Sequence, residues 1–131
     1  MRSAPVVLVV EDNAELRHVL KEALGSEGYE VLTTRDEIEA LEILRGTRVD
    51  LFISDLTNPS NAKEALEAVR QEFPELPVVA LAEATGQHPA FFFMAWEKSP
   101  KVRTVSKPFR LGELLAVSRE VLDPPGAHPS H

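Results

Sequence analysis

The sequence predicts an α/β domain with one mostly parallel five-stranded sheet and helices on both of its faces. Short apolar runs of four to six residues alternate along the chain with longer stretches in which apolar residues recur at helical spacing. The first run, Val6–Val10, contains only Val and Leu, which is typical of a strand buried on both faces. Strands that alternate with helices in this way indicate parallel crossovers and therefore a doubly wound sheet.

Five strands are predicted in chain order, at Val6–Val10, Glu30–Thr34, Asp50–Asp55, Pro77–Ala82 and Val102–Val105. Apolar stripes predict five intervening or following helices. Their members are Leu16, Val19, Leu20, Ala23 and Leu24; Ile38, Leu41 and Leu44; Ala65, Leu66, Val69 and Phe73; an aromatic helix over 91–96; and Leu111, Leu114, Leu115, Ser118, Val121 and Leu122. Asp36 is predicted to cap the second helix, and Pro74 to end the third.

Composition limits the class of protein. The 131 residues fit one domain, predicted over 1–122, and 123–131 carry no apolar periodicity, which indicates a disordered tail or a truncated linker without an output domain. A formal net charge of −7 argues against a general nucleic-acid or anionic-membrane binder. The absence of cysteine excludes disulfides and thiolate metal sites, and no apolar run reaches the roughly 20 residues that span a bilayer. These features favour a cytoplasmic domain.

Charged residues follow three of the predicted strands. Glu11 and Asp12 come after the first strand, Asp55 ends the third, and Lys107 follows the fifth. For five alternating units the flavodoxin-like order 2-1-3-4-5 is a common solution, and its ligand crevice lies outside the carboxyl ends of strands 1 and 3. Three carboxylates and one ammonium gathered there suit a divalent cation and a phosphoryl group.

At these residues the chain resembles the receiver domain of two-component response regulators. The resemblance covers about 6–122. The matching features are the acidic pair Glu11-Asp12, Asp55 at a strand end, Pro59 four residues later, and Lys107-Pro108 after the last strand.

The resemblance implies a phosphoryl-accepting signalling domain rather than a turnover enzyme. Asp55 would take a phosphoryl group from a histidine kinase or phosphotransfer protein, and could lose it again by self-dephosphorylation. Lys107 would bind a phosphoryl oxygen. Mg²⁺ would be held by Glu11, Asp12, Asp55 and the backbone carbonyl of Thr57, in keeping with its preference for oxygen ligands.

Two positions depart from the family pattern. The family usually has Ser or Thr where this chain has Ala82, and an aromatic residue where it has Thr104. The usual hydroxyl-to-aromatic switch is therefore expected to be absent, and Thr85 lies three residues too late to replace it directly. An alternative function follows, a pseudo-receiver that binds proteins without being phosphorylated.

The aromatic segment 91–96 holds three of the six Phe residues and the only Trp. Because a helix on a sheet buries only one stripe, we expect Phe92, Phe93 and Trp96 to form an exposed interface patch. The family resemblance suggests a homodimer or partner contact through the face of the fourth helix, fifth strand and fifth helix. A displaced helix that buries most of the ring area is the alternative.

Two other functions of this fold class are disfavoured by the site residues. A flavin-phosphate binder would need a Ser/Thr/Gly loop where this chain has Glu11-Asp12-Asn13. A phosphatase with an Asp nucleophile would need a second Asp where Thr57 stands.

Overall fold

The structure, a computed structural model, describes residues 4–55, 62–83 and 101–122. Within these ranges the elements are β1 (Val6–Val10), α1 (Ala14–Ser26), β2 (Glu30–Thr34), α2 (Glu37–Gly46), β3 (Leu51–Asp55), α3 (Ala62–Glu72), β4 (Val78–Glu83), β5 (Val102–Lys107) and α4 (Leu111–Leu122).

All strand pairs are parallel, and the sheet order is β2-β1-β3-β4-β5. The predicted doubly wound fold and its strand order are confirmed. β1 lies between β2 and β3, and Val10 is in register with both Thr34 and Ser54. The carboxyl ends of β1 and β3 are therefore side by side, at the point where the strand order reverses.

Each face of the sheet carries its own apolar core. On one face, alternate strand residues such as Leu8 and Phe52 pack against α2 and α3. On the other face, Val9 and Ile53 pack with the side chains of α1 and α4. Because neighbouring residues of a strand point to opposite faces, the continuous apolar runs of β1 and β3 supply both cores.

Several predicted boundaries shift by one or two residues. β3 begins at Leu51 rather than Asp50, and β4 and β5 extend to Glu83 and Lys107. Asp36 caps α2 as predicted, since its side chain accepts a hydrogen bond from the backbone N–H of Glu39 at 2.8 Å. The third helix ends at Glu72, before Pro74.

In the described helices, three members of the predicted apolar stripes are exposed. Ile38 is 55% exposed, Val19 45% and Leu111 36%. In α2 the buried positions are Glu37, Ala40, Leu41 and Leu44, spaced at i, i+3, i+4 and i+7. Leu41 and Leu44 are buried as predicted, whereas the prediction for Ile38 was wrong, because the buried stripe begins one residue earlier with the Glu37 carboxylate.

Some predictions concern residues outside the described ranges. They are the Thr57 carbonyl ligand, Pro59, Thr85, the aromatic interface residues Phe92, Phe93 and Trp96, and the tail 123–131, and these stay predictions. Among the helices that the structure describes, none combines the length and the apolar character that crossing a membrane requires.

Candidate functional site: an acidic rim with one lysine

Asp55 and Lys107 meet at the carboxyl end of the sheet. The Lys107 Nζ atom lies 2.6 Å from Asp55 Oδ2, and the Asp55 side chain is only 2% exposed. Asp55 is in register with Leu81 on β4, and Lys107 with Glu83, so the lysine starts two residues beyond the aspartate. Its long side chain reaches back across β4, a distance of two strand spacings of roughly 4.8 Å each.

Glu11 directly follows β1 and is held by three hydrogen bonds. Its backbone N–H donates to the Thr34 carbonyl at 3.0 Å, and its Oε2 accepts from the Asn13 N–H at 3.1 Å. Its own carbonyl accepts from Arg17 Nη1 at 2.8 Å. The side chain is 2% exposed. The sequence could not indicate Arg17, because its partner is a backbone atom that only the folded loop brings into reach.

Asp12, the second member of the acidic pair, is exposed. Asn13 follows it and caps α1 by accepting a hydrogen bond from the Leu16 N–H at 2.9 Å. The start of α1 thus fixes the direction in which the acidic loop leaves the sheet. Asp12 is accessible to solvent and ligands, whereas Glu11 and Asp55 are enclosed.

Replacing Arg17 by methionine is expected to lower the free energy of unfolding by about 1 kcal/mol, because a partly buried hydrogen bond to the Glu11 carbonyl is lost. Urea denaturation measures this. The matched control is Arg45→Met, which removes an exposed ion pair with Glu72 and should cost roughly half as much or less. Equal losses would contradict a specific role for the Arg17 contact.

The Glu11 and Asp55 carboxylates lie against one another. Burial, and then the hydrogen bond and charge of Asp55, raise the pKa of Glu11 to about 8, although the Asn13 N–H and the Lys107 charge lower it. Among the described residues, no donor group gives a hydrogen bond to the buried Glu11 Oε1 atom. Two ionised carboxylates in contact repel one another, so a bound cation would favour the ionised form of the pair.

Glu37 is a further buried carboxylate, which the sequence analysis missed. It is 1% exposed, and within the described part of the chain its Oε2 atom has no hydrogen-bond partner. Burial raises the pKa of Glu37 to about 7, with further contributions from the charges of Asp36, Asp55 and Asp12. A signal was present in the sequence, since Glu37 stands three, four and seven residues before the apolar stripe members of α2.

The residues fit a divalent cation of the Mg²⁺ type. Glu11, Asp12 and Asp55 are hard oxygen donors whose charge exceeds that of Lys107, and Glu11 Oε1 is buried without a donor. Within the described ranges, no three acidic or histidine side chains converge closely enough to enclose an ion by themselves. Mg²⁺ does not need this, because it binds through one or two carboxylates and completes its shell with water and phosphate oxygens.

The two predicted switch positions lie in different environments. Ala82 is 1% exposed and packs in the core on the α2–α3 face of the sheet. Thr104 is exposed on β5, where it is in register with Ala80. Ala82 therefore presents a methyl group and no hydrogen-bond donor at the end of β4.

An open apolar groove runs beside the ion pair. It lies between α1 and the segment that links β5 to α4, and its lining residues are Leu16, Val19, Lys107, Pro108, Phe109 and Leu111. The Lys107–Pro108 peptide bond in its wall is cis. The exposed side chains of Val19 and Leu111 lie on this surface.

Comparison with known proteins gives a consistent match. The family described as "Response regulator receiver domain" matches residues 7–119. The response regulator MprA of Mycobacterium ulcerans is 31% identical over 117 residues, which cover 88% of this chain and 49% of that protein. The transcriptional regulator NtrC of Rhizobium meliloti is 30% identical over 127 residues, 95% of this chain and 25% of the regulator. The chain thus spans half or less of the length of these relatives.

Solved structures agree with the sequence matches. The chemotaxis response regulator CheY4 of Vibrio cholerae is 29% identical, with a TM-score of 0.76 over 91% of this chain and 99% of that one. The receiver domain of the Pseudomonas aeruginosa sensor histidine kinase PA1611, described with a magnesium ion in its active site cleft, is 24% identical, with a TM-score of 0.75 over 91% of this chain and 98% of that one. With the family match over most of its length and the same strand order, this chain belongs to the response regulator receiver domain family of two-component systems.

Proposed function

We propose that this domain accepts a phosphoryl group on Asp55 from a phosphohistidine of a histidine kinase or phosphotransfer protein, with Mg²⁺ as cofactor. The observation that carries the proposal is the contact of Lys107 Nζ with Asp55 Oδ2 at 2.6 Å, beside the buried Glu11 carboxylate. This arrangement supports the proposal, because the proposed nucleophile Asp55, the cation that would bind phosphoryl oxygens and the carboxylates that would bind a metal lie at one edge of the sheet.

In the proposed reaction an Asp55 carboxylate oxygen forms a bond to phosphorus while the phosphorus–nitrogen bond of the phosphohistidine breaks. The imidazole leaves with the electron pair of that bond. Lys107 then holds a phosphoryl oxygen by a charge-assisted hydrogen bond instead of pairing only with the carboxylate. Such transfer depends on positioning and on stabilisation of charge more than on acid–base chemistry, which is what this site offers.

A magnesium ion would be held by the carboxylates of Glu11, Asp12 and Asp55 and by the Thr57 carbonyl, and when bound it supplies the positive charge that the phosphoryl oxygens require. The excess of carboxylates over cationic groups at the rim supports this assignment. The ion would compensate the Glu11 carboxylate in particular, because no described donor group gives a hydrogen bond to its buried Oε1 atom. Because the pKa of Glu11 is raised to about 8, binding of the ion at neutral pH would release a proton from this carboxyl group.

The groove beside Lys107 supports a protein donor. The exposed side chains of Val19 and Leu111 lie on the groove that Lys107 also lines, and a protein bound there would bring its phosphohistidine close to the Lys107–Asp55 pair. An apolar surface of this kind suits the side of a helix better than a small, charged phosphodonor. The surface therefore supports a kinase or phosphotransfer protein as the partner.

The test is a titration with beryllofluoride, a phosphoryl analogue, in the presence of Mg²⁺, followed through the backbone amides by NMR. We expect large shifts at Asp12, Asp55 and Lys107 that need both reagents. Asp55→Asn should abolish the beryllofluoride response, because the amide has no anionic oxygen to bond to beryllium. Leu122, at the end of α4, serves as an amide probe away from the site.

Absence of any response at saturating Mg²⁺ in the folded wild-type protein would contradict the phosphoacceptor function. It would leave the second candidate, a pseudo-receiver that binds partners without being phosphorylated. The specific observation that favours this candidate is Ala82, which packs in the core and carries no hydroxyl for a phosphoryl oxygen. Shifts confined to Asp12, Asp55 and Lys107, without shifts elsewhere in β4 or β5, would support a phosphoacceptor that lacks the hydroxyl-to-aromatic switch.

A further inference from the structure

Glu37 occupies an unusual position for a carboxylate. It is the first residue of α2, directly after the capping residue Asp36, and it begins the stripe that faces the sheet. Its side chain is 1% exposed, and its buried Oε2 atom has no hydrogen-bond partner among the described residues. An ionised carboxylate in this state is unfavourable relative to water unless a positive group compensates it.

The charges that Glu37 experiences are those of the acidic rim. After burial, the influences that raise its pKa are the carboxylates of Asp36, Asp55 and Asp12, while its own backbone N–H lowers it. Asp12 leaves the sheet at the end of β1, and Asp55 ends β3. Glu37 follows β2, whose Thr34 carbonyl accepts the Glu11 N–H. Carboxylates attached to three elements, β1, β3 and α2, thus influence one place.

The ligand that would compensate this charge is a hydrated divalent cation. Glu37 does not have to touch the ion, because Mg²⁺ binds directly through one or two carboxylates and the rim already offers these. Mg²⁺ retains several of its waters in proteins, and these waters donate hydrogen bonds to carboxylates that do not touch the metal. Such outer carboxylates strengthen metal binding.

We propose that Glu37 is an outer-shell carboxylate of the cation site, which accepts hydrogen bonds from water on the ion and raises the affinity of the rim for it. This inference rests on the proposed function, since it presupposes that Glu11, Asp12 and Asp55 bind the cation. It adds a residue from α2, an element that supplies none of the predicted ligands. It also explains why a carboxylate stands where the stripe of α2 would otherwise accept an apolar residue.

The test is the Mg²⁺ affinity of Glu37→Gln, measured with calorimetry and with NMR shifts of the Asn13 amide, without any phosphodonor. The measurement is made at about pH 8.5, above the pKa of Glu37, so that the wild-type carboxylate is ionised. We expect binding about tenfold weaker than that of the wild type. Glu42→Gln, an exposed carboxylate on the same helix, is the matched control and should bind almost as tightly as the wild type.

The outcomes distinguish the role of Glu37 from the existence of the cation site itself. If the wild type binds Mg²⁺ and Glu37→Gln binds it equally well, the role of Glu37 is overturned while the cation site stands. If Glu42→Gln weakens binding as much as Glu37→Gln, the effect is one of total charge and the specific role is overturned. If the wild type itself does not bind Mg²⁺, both proposals fail.

Folding of the variant is checked by its amide spectrum. Glutamine has the same shape as glutamate and removes a buried charge, so the variant should be folded and no less stable than the wild type in the absence of cation. Should it not fold, Glu37→Asp replaces it. Withdrawing the carboxylate by one methylene group is expected to weaken Mg²⁺ binding, and an unchanged affinity overturns the inference.

Discussion

Replacing Lys107 by methionine is expected to lower the free energy of unfolding by about 3 kcal/mol at neutral pH, because the buried Asp55 carboxylate loses its ammonium partner. The methylene stem of lysine is retained in methionine, so the change is mainly one of charge. Urea or thermal denaturation measures the loss. Lys101→Met is the matched control, because Lys101 is exposed and its ion pair with Glu75 is long, at 4.0 Å. Its effect should be close to zero.

A second variant shows whether the loss arises from the pair. In Asp55→Asn/Lys107→Met the uncompensated charge is absent, and we expect a free energy of unfolding well above that of Lys107→Met alone. If the double variant is as unstable as the single one, the cost lies in packing around the lysine stem and not in the buried carboxylate. In the wild-type protein, added salt should weaken the Asp55–Lys107 ion pair less than it weakens the exposed Arg45–Glu72 ion pair.

In the absence of divalent cations, the stability of the protein is expected to fall by roughly 6 kcal/mol between about pH 5 and about pH 8.5. The pKa of Glu11 is raised to about 8 and that of Glu37 to about 7, from an ordinary value of 4.5 that both regain on unfolding. Between these values the folded protein holds protons that the unfolded chain releases. The stabilisation is therefore complete below pH 4.5 and is lost as the pH rises through the folded pKa values.

Denaturant titrations at several pH values in the presence of a chelator check this prediction. Glu11→Gln/Glu37→Gln should give a much flatter profile, because neither amide titrates. Saturating Mg²⁺ should restore most of the lost stability to the wild type at high pH and little to the double variant. A cation-free protein whose stability rises between pH 5 and pH 8.5 would contradict the assignment of raised pKa values.

The sequence was sufficient to bring Glu11, Asp55 and Lys107 together. Each is attached to a strand, and the carboxyl ends of parallel strands fall at one edge of the sheet whatever the details of packing. The strand order followed for the same reason, since alternating elements leave few topologies. The contact between Lys107 and Asp55 needed only a long side chain and the correct order of β3, β4 and β5.

What could not be predicted depends on packing and on the backbone. Glu37 was overlooked because apolar pattern analysis counts Ile38 and ignores a buried carboxylate, although Ile38 is 55% exposed. Arg17 was overlooked because its partner is a carbonyl group. The same limit applies to Val19, which continues the apolar stripe of α1 and yet faces the open groove beside Lys107. An apolar stripe shows which residues of a helix could be buried. Which of them are buried depends on how much of the stripe the neighbouring elements cover.

The order in which the strands join the sheet has a consequence for synthesis of the protein. The chain from β1 to β3 contains the centre of the sheet, with β2 on one side of β1 and β3 on the other, and we expect it to collapse as a unit while later residues still emerge from the ribosome. Asp55 ends that unit. Its ammonium partner is 52 residues further along and arrives only with the outermost strand. A nascent chain would therefore expose an anionic edge without its lysine, and the proposed phosphoryl transfer to Asp55 would require the last strand.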